Sequence, residues 1–123
     1  MFIPRKNNAT YDQNAGLKAE KLATTYLILN GLQLVAQNYH CRFGEIDLVM
    51  TDAATLVFIE VRLRSSNYFG DAATSITPQK QHKIQLTAQH YLQQYNSPPA
   101  CRFDVILMNK VEMQAITWLK NAF

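Results

Sequence analysis

The sequence predicts a mixed α/β (α+β) protein, a β-sheet flanked by helices in the order α-β-β-β-α-β-β. Three observations predict it. Two segments repeat apolar residues at three- and four-residue steps, as buried helix faces do. Five shorter segments are rich in β-branched and aliphatic residues and are separated by polar or glycine-bearing breaks. Finally, 123 residues, 48% hydrophobic and 17% charged, suffice for one core but not for two, so residues 1–123 are read as one domain. The first dozen or so residues are left free to be disordered.

The first helix runs from Thr10 to about Asn30, with Ala19, Leu22, Ala23, Tyr26, Leu27 and Leu29 on its apolar side. Gly31 ends it, because glycine accepts the left-handed cap conformation without a Cβ penalty. Leu32 to Ala36 begins the sheet, and Asn38 to Arg42 is a connector or strand edge. Glu45 to Thr51 and Leu56 to Arg64 follow as a hairpin around the short polar break Asp52-Ala53-Ala54. Ser65 to Thr77 is irregular and long enough to be a functional loop. Thr77-Pro78 starts the second helix: threonine caps free amides, and proline at the first helical position loses no hydrogen bond. Ile84, Thr87, Ala88, Tyr91, Leu92 and Tyr95 then recur at helical spacing until Ser97-Pro98-Pro99. Strands at Cys101 to Met108 and about Ala115 to Trp118 complete the order.

Composition excludes several classes. No apolar run reaches the roughly 18 residues that cross a bilayer, and Met1 to Lys6 lacks the apolar stretch of a secretory signal, so a cytoplasmic protein without a membrane partner is expected. Cys41 and Cys101 are too few and too far apart for a disulfide scaffold or a zinc knuckle. His40, His82 and His90 lack metal-ligand spacing. The net charge of +3 is mild, but between Arg62 and Lys110 six basic residues face two acidic ones, a local +4 that a polyanion would prefer.

The informative residues are acidic. On the second hairpin strand Leu56, Phe58, Glu60, Arg62 and Arg64 share one face, and Val57, Ile59, Val61 and Leu63 share the other. Glu60 therefore sits in an apolar run, where a carboxylate is costly unless it is paired, hydrogen-bonded or bound to a cation. Asp47 is likewise flanked by Ile46, Leu48, Val49 and Met50. A hairpin symmetric about Ala53-Ala54 places Asp47 opposite Glu60. Like charges at that separation repel, and a hard divalent cation such as Mg²⁺ would reverse the sign while leaving positions open for phosphate oxygens. A loop one residue longer would send the two side chains to opposite faces. The alternative is an ion pair, with Glu60 neutralised by Arg62 or Arg64 and Asp47 hydrogen-bonded at a strand end. Both readings stand at this point. Strand alternation is expected to point Glu45 away from Asp47, and Asp104 is expected to pair with Arg102 or Arg64.

A resemblance adds to this. Gly16-x-x-x-Glu20-x-x-Ala23-x-x-Tyr26-Leu27, Gly44-Glu45-Ile46-Asp47-Leu48, Val57-Phe58-Ile59-Glu60-Val61-Arg62, Thr77-Pro78-Gln79-Lys80, Cys101-Arg102-Phe103-Asp104-Val105 and Trp118-Leu119-Lys120-Asn121-Ala122-Phe123 occur in this order, nearly end to end. In this the chain resembles the small bacterial proteins of the UPF0102 or YraN type, which look like distant relatives of Holliday junction resolvases with a restriction-endonuclease-like core. The resemblance implies the PD-(D/E)XK nuclease pattern, in which an aspartate and a following Glu-x-Lys hold a metal and a water. Asp47 and Glu60 fall on its acidic positions, and Glu20 matches an additional acidic residue over the metal. The implied cofactor is Mg²⁺ or Mn²⁺ held by Glu20, Asp47 and Glu60. The implied partner is branched or structured DNA, contacted by Arg62, Arg64, Lys80 and Lys83, and the resolvase likeness also raises a homodimer. Arg62 departs from the pattern, which has lysine there; an arginine stays protonated and cannot take a proton from water. Lys80, in the first turn of the second helix, is the best substitute, at a place where free amides also attract phosphate. Two functions follow: a metal-dependent endodeoxyribonuclease, or a DNA-binding module that keeps the nuclease fold without turnover. An acidic cluster that is merely a buried salt-bridge network is the third reading.

Overall fold

In a computed structural model, the structure describes residues 3–64 and 76–123, with side chains from Asn14 onward in the first helix. The elements are α1 (Ile3–Leu29), β1 (Gln33–Cys41), β2 (Gly44–Asp52), β3 (Thr55–Leu63), α2 (Pro78–Leu92), β4 (Cys101–Met108) and β5 (Ile116–Leu119), with a short 3-10 turn at Met113–Ala115 before the last strand. The order is the expected one. Helix α1 is longer than the Thr10–Asn30 span read from periodicity, because polar first turns carry no apolar repeat to signal them. Of the expected Ser65 to Thr77 loop, residues 65–75 lie outside the described residues.

The sheet has five strands in the order β1-β2-β3-β4-β5. Three pairings are antiparallel and β3–β4 is parallel, the crossover being made through α2. Alternation along the strands divides the core in two. Leu48, Met50, Val57, Ile59, Ile106 and Met108 face Ala19, Ala23 and Leu27 of α1. Val49, Leu56, Phe58, Val105 and Leu107 face Ile84, Ala88 and Tyr91 of α2. The helices therefore cover opposite faces, and the apolar runs in β2, β3 and β4 reflect burial on both sides. Burying a side chain of the size of Phe58 or Ile59, each 1% exposed, contributes about 1.5–3 kcal/mol.

The ends of the helices follow the sequence. At the end of α1, Gly31 has φ +97° and Leu32 N–H donates to Leu27 O at 3.0 Å, the six-to-one bond of a Schellman cap. At the start of α2, Thr77 Oγ1 accepts from Lys80 N–H at 3.1 Å with Pro78 in the first helical position. This cap fixes Lys80 in the first turn of α2.

Cys41 and Cys101 are both free thiols. Asp104 pairs with Arg102, as expected: Arg102 Nε is 3.0 Å from Asp104 Oδ1, and Asp104 also accepts from Trp118 Nε1 at 3.0 Å and Asn121 N–H at 2.9 Å. This network ties β4 to β5 and the C-terminal residues, away from the acidic cleft described next.

Candidate functional site: an acidic cleft where two strands part

The β2–β3 register is the predicted one, from Asp52↔Thr55 to Leu48↔Ile59. There the ladder stops, so Asp47 and Glu60 do not become a ladder pair. Instead, Asp47 Oδ2 accepts a hydrogen bond from Val61 N–H at 2.8 Å. The side chain takes the place that a carbonyl oxygen of β2 would have held, which satisfies an amide that the parting strands would otherwise orphan. Ile46 confirms the distortion: strict alternation would send it with Leu48 towards α1, yet it packs with the α2 cluster.

Glu60 lies on the α2 face of β3. Its Oε2 is 3.2 Å from Lys80 Nζ and 3.4 Å from Arg62 Nη1. Asp47 and Glu60 are each only 8% exposed, and together with Gly44, Glu45, Lys80, Lys83 and Ile84 they line a cleft of about 230 Å³. Gly44 allows α2 to lie close: its φ is +149°, and a Cβ there would be 3.3 Å from Thr87 Oγ1.

The electrostatics are those of crowded carboxylates. Burial first, then the Glu60 charge, push the Asp47 carboxyl up to about 8, against the pull of the Val61 amide; Glu20 and Glu45 add smaller upward pushes. Glu20, half-buried on α1, is also raised, by burial and then by Glu45 and Glu60, while hydrogen bonds with the Asn38 side chain and with Asp47 hold it down. Carboxylates from α1, β2 and β3 thus share one electrostatic neighbourhood.

Of the residues singled out from sequence, Asp47, Glu60, Lys80 and Lys83 line this cleft, Arg62 reaches Glu60 beside it, and Glu20 lines neighbouring hollows against α1. Arg64 stands apart. It is exposed beyond the end of β3, its N–H donating to Met108 O at 2.8 Å, and it is not in the cleft wall. Glu45 is a correction: it was expected to point away, but it lines the cleft with Asp47 and also the hollow beside α1 with Glu20. The free amides expected at the start of α2 are few, since Pro78 has none, Lys80 N–H is capped and Gln81 N–H bonds to Thr77 O at 2.9 Å. Lysine charge, not helix amides, is what the helix offers an anion.

The donor set suits a hard cation: every candidate ligand is a carboxylate oxygen, and the burial and mutual repulsion that raise Asp47 and Glu20 are what a divalent ion would offset. Among the described residues, however, no three acidic, histidine or cysteine side chains already stand at ligand spacing. Drawing them onto an ion requires Glu60 to exchange its Lys80 and Arg62 contacts.

Fold and site define an α+β protein whose five-stranded mixed sheet opens into a buried acidic cleft rimmed by lysines. The sequence profile of the uncharacterised protein family UPF0102 matches residues 19–108. A UPF0102 protein of Methylobacillus flagellatus is 55% identical over 108 residues, covering 88% of this chain and 95% of its own length. One of Psychromonas ingrahamii is 48% identical over 123 residues, covering 100% of this chain and 98% of its own. The chain belongs to the UPF0102 family. Among the described residues no helix is long and apolar enough to cross a membrane.

Proposed function

We propose that the protein is a Mg²⁺- or Mn²⁺-dependent endodeoxyribonuclease that hydrolyses phosphodiester bonds of branched or structured DNA. The observation that carries this reading is the meeting, in one cleft, of a buried, mutually repelling Asp47 and Glu60 with Lys80 and Lys83. Asp47, Glu60 and Glu20 would hold the ion, which when bound supplies a Lewis acid that lowers the pKa of water and offsets phosphate charge. Asp47 enters this role already oriented by the Val61 amide. Arg62, 3.4 Å from Glu60, binds the scissile phosphate, and Lys83 on the cleft wall extends the cationic side along the backbone of the nucleic acid. Arg62 cannot accept a proton. The nucleophile would come from water made more acidic by the ion or from water that gives its proton to a nearby amine, for which Lys80 in its free-amine form is the candidate.

Cleavage of a four-way DNA junction in the presence of Mn²⁺ tests this. Asp47→Ala and Glu60→Ala should each abolish cleavage while junction affinity survives; cleavage undiminished in both would refute the enzyme reading.

A second reading rests on Arg62, which fills the place where the nuclease pattern has its lysine. Under it the protein binds DNA without cutting, and Arg62→Lys should introduce cleavage that the natural chain lacks. No gain in a metal-replete assay would count against it.

A further inference from the structure

Two long stretches of the chain carry no acidic residue: 21–44, which contains β1, and 76–103, which contains α2. They meet where the tip of the β1–β2 hairpin is seated on α2. Lys83, Thr87 and His90, at helical steps of four and three, form that side of the helix. A Cβ on Gly44 would be 3.3 Å from Thr87 Oγ1 and 3.9 Å from Lys83 Cβ. The Phe43 ring lies edge-on to His90 with 6.4 Å between centroids, and the Tyr39 hydroxyl is hydrogen-bonded with His90 Nδ1. Tyr39 in turn meets the buried Tyr91 ring edge-on at 5.0 Å. On this anchored tip the Arg42 guanidinium stands 4.8 Å from the centroid of the Phe43 ring.

Arg42 and Lys83 are both exposed. Among the described residues neither forms a salt bridge, whereas Arg62, Lys80 and Arg102 are each paired with a carboxylate. Glu45, the first acid after the tip, lines the cleft. We propose that Arg42 is a phosphate-binding residue which, with Lys83, carries the DNA backbone from the acidic cleft over the tip of the hairpin. This role rests on the reading that the cleft takes DNA. Gly44 lines the cleft, and two residues of chain place Arg42 at most about 7 Å of backbone away from it. The arginine fork suits phosphate oxygens, and a guanidinium already stacked on a ring loses less freedom on binding than a solvated one. Unlike Arg62 and Lys80, Arg42 need break no ion pair to receive a phosphate.

Binding of a fluorescent four-way DNA junction by the full chain, followed by anisotropy in chelator over a range of NaCl concentrations, tests this without any metal-dependent cleavage. Arg42→Ala should weaken binding about 10-fold at low salt and reduce the slope of log K against log [NaCl] by about 0.9, one phosphate's share. Phe43→Leu removes the ring but no charge, and should weaken binding with the slope unchanged. Lys120, 4.4 Å from the centroid of the Trp118 ring beside β5, is a stacked cation at the opposite edge of the sheet, and Lys120→Ala should alter neither quantity. Wild-type affinity and slope in Arg42→Ala, or an equal loss in Lys120→Ala, would overturn the role of the hairpin tip alone. A wild type that does not bind the junction would overturn the DNA reading and this role with it.

Discussion

Val61 N–H donates to Asp47 Oδ2 across the gap where β2 leaves β3, at 2.8 Å. One bond thereby does two things: it closes a ladder that has lost its carbonyl acceptor, and it fixes a buried carboxylate at the mouth of a cleft. A carboxylate so held is stabilised in its charged form by the amide, but burial and Glu60 act more strongly in the other direction.

The first consequence is a pH dependence. Asp47 is raised from an ordinary 3.8 to about 8. Between those values the folded protein keeps a proton that the unfolded chain has lost, so the ion-free fold is favoured at the acid end and loses that stability as pH rises through about 8. Urea midpoints in chelator should fall from pH 5 to pH 8, and Asp47→Asn should flatten the decline. Mn²⁺ should raise the midpoint more at pH 8 than at pH 5, because at the lower pH it must first displace the proton. A midpoint that rises with pH over this interval would contradict the crowding of these carboxylates.

Lys80 should matter to turnover far more than to folding. Its side chain is 45% exposed, so its pair with Glu60 contributes at most about 1 kcal/mol. Lys80→Ala should therefore leave the urea midpoint nearly unchanged and lower the single-turnover cleavage rate by about 10²-fold or more. Arg62→Lys added to Lys80→Ala should restore part of the rate by returning an amine to the cleft. Failure of that double variant to exceed Lys80→Ala would argue that no amine takes the proton.

Asp104 provides the opposite case. Its side chain is fully buried and accepts from Arg102, Trp118 and Asn121. Asp104→Ala leaves Arg102, 19% exposed, with the Asp52 pair at 2.9 Å among the described residues, and should cost about 3–5 kcal/mol of unfolding free energy. The fraction that remains folded should bind Mn²⁺ as the wild type does. Measured together, denaturation and calorimetry separate this staple from the cleft.

Gly44→Ala should disturb the wall of the cleft. A Cβ at φ +149° is strained, and at 3.3 Å from Thr87 Oγ1 it requires that hydroxyl to give by a few tenths of an ångström, at a cost of about 1–3 kcal/mol. Thermal melting should show the loss. A melting temperature equal to that of the wild type would mean that the close approach of β2 to α2 is not required.

Much of this arrangement was legible in the residues. The short Asp52-Ala53-Ala54 break set the hairpin register, and with it the nearness of Asp47 to Glu60, because alternation makes register and face the same question. Thr77-Pro78 placed Lys80 in the first turn of α2, since a capped proline start has only one reading. The parting of β2 from β3 was not legible. It depends on Asp47 bonding to a main-chain amide, and nothing in the letters distinguishes that carboxylate from one that faces its cross-strand neighbour. The positive φ of Asn38 in β1 was hidden for the same kind of reason: a left-handed asparagine within a strand leaves no periodic signal, although an asparagine between Gln37 and Tyr39 is a weak hint of a kink. Glu45 was hidden by the distortion of β2, since alternation breaks at Ile46 between it and Asp47.

Diffraction at the manganese edge from crystals soaked in MnCl₂ tests the central claim most directly. A single anomalous peak should stand about 2.1 Å from carboxylate oxygens of Asp47 and Glu60, with Glu20 swung towards it and Lys80 released from Glu60. Soaked crystals in which Glu60 still holds Lys80 and Arg62, with no peak in the cleft, would contradict it.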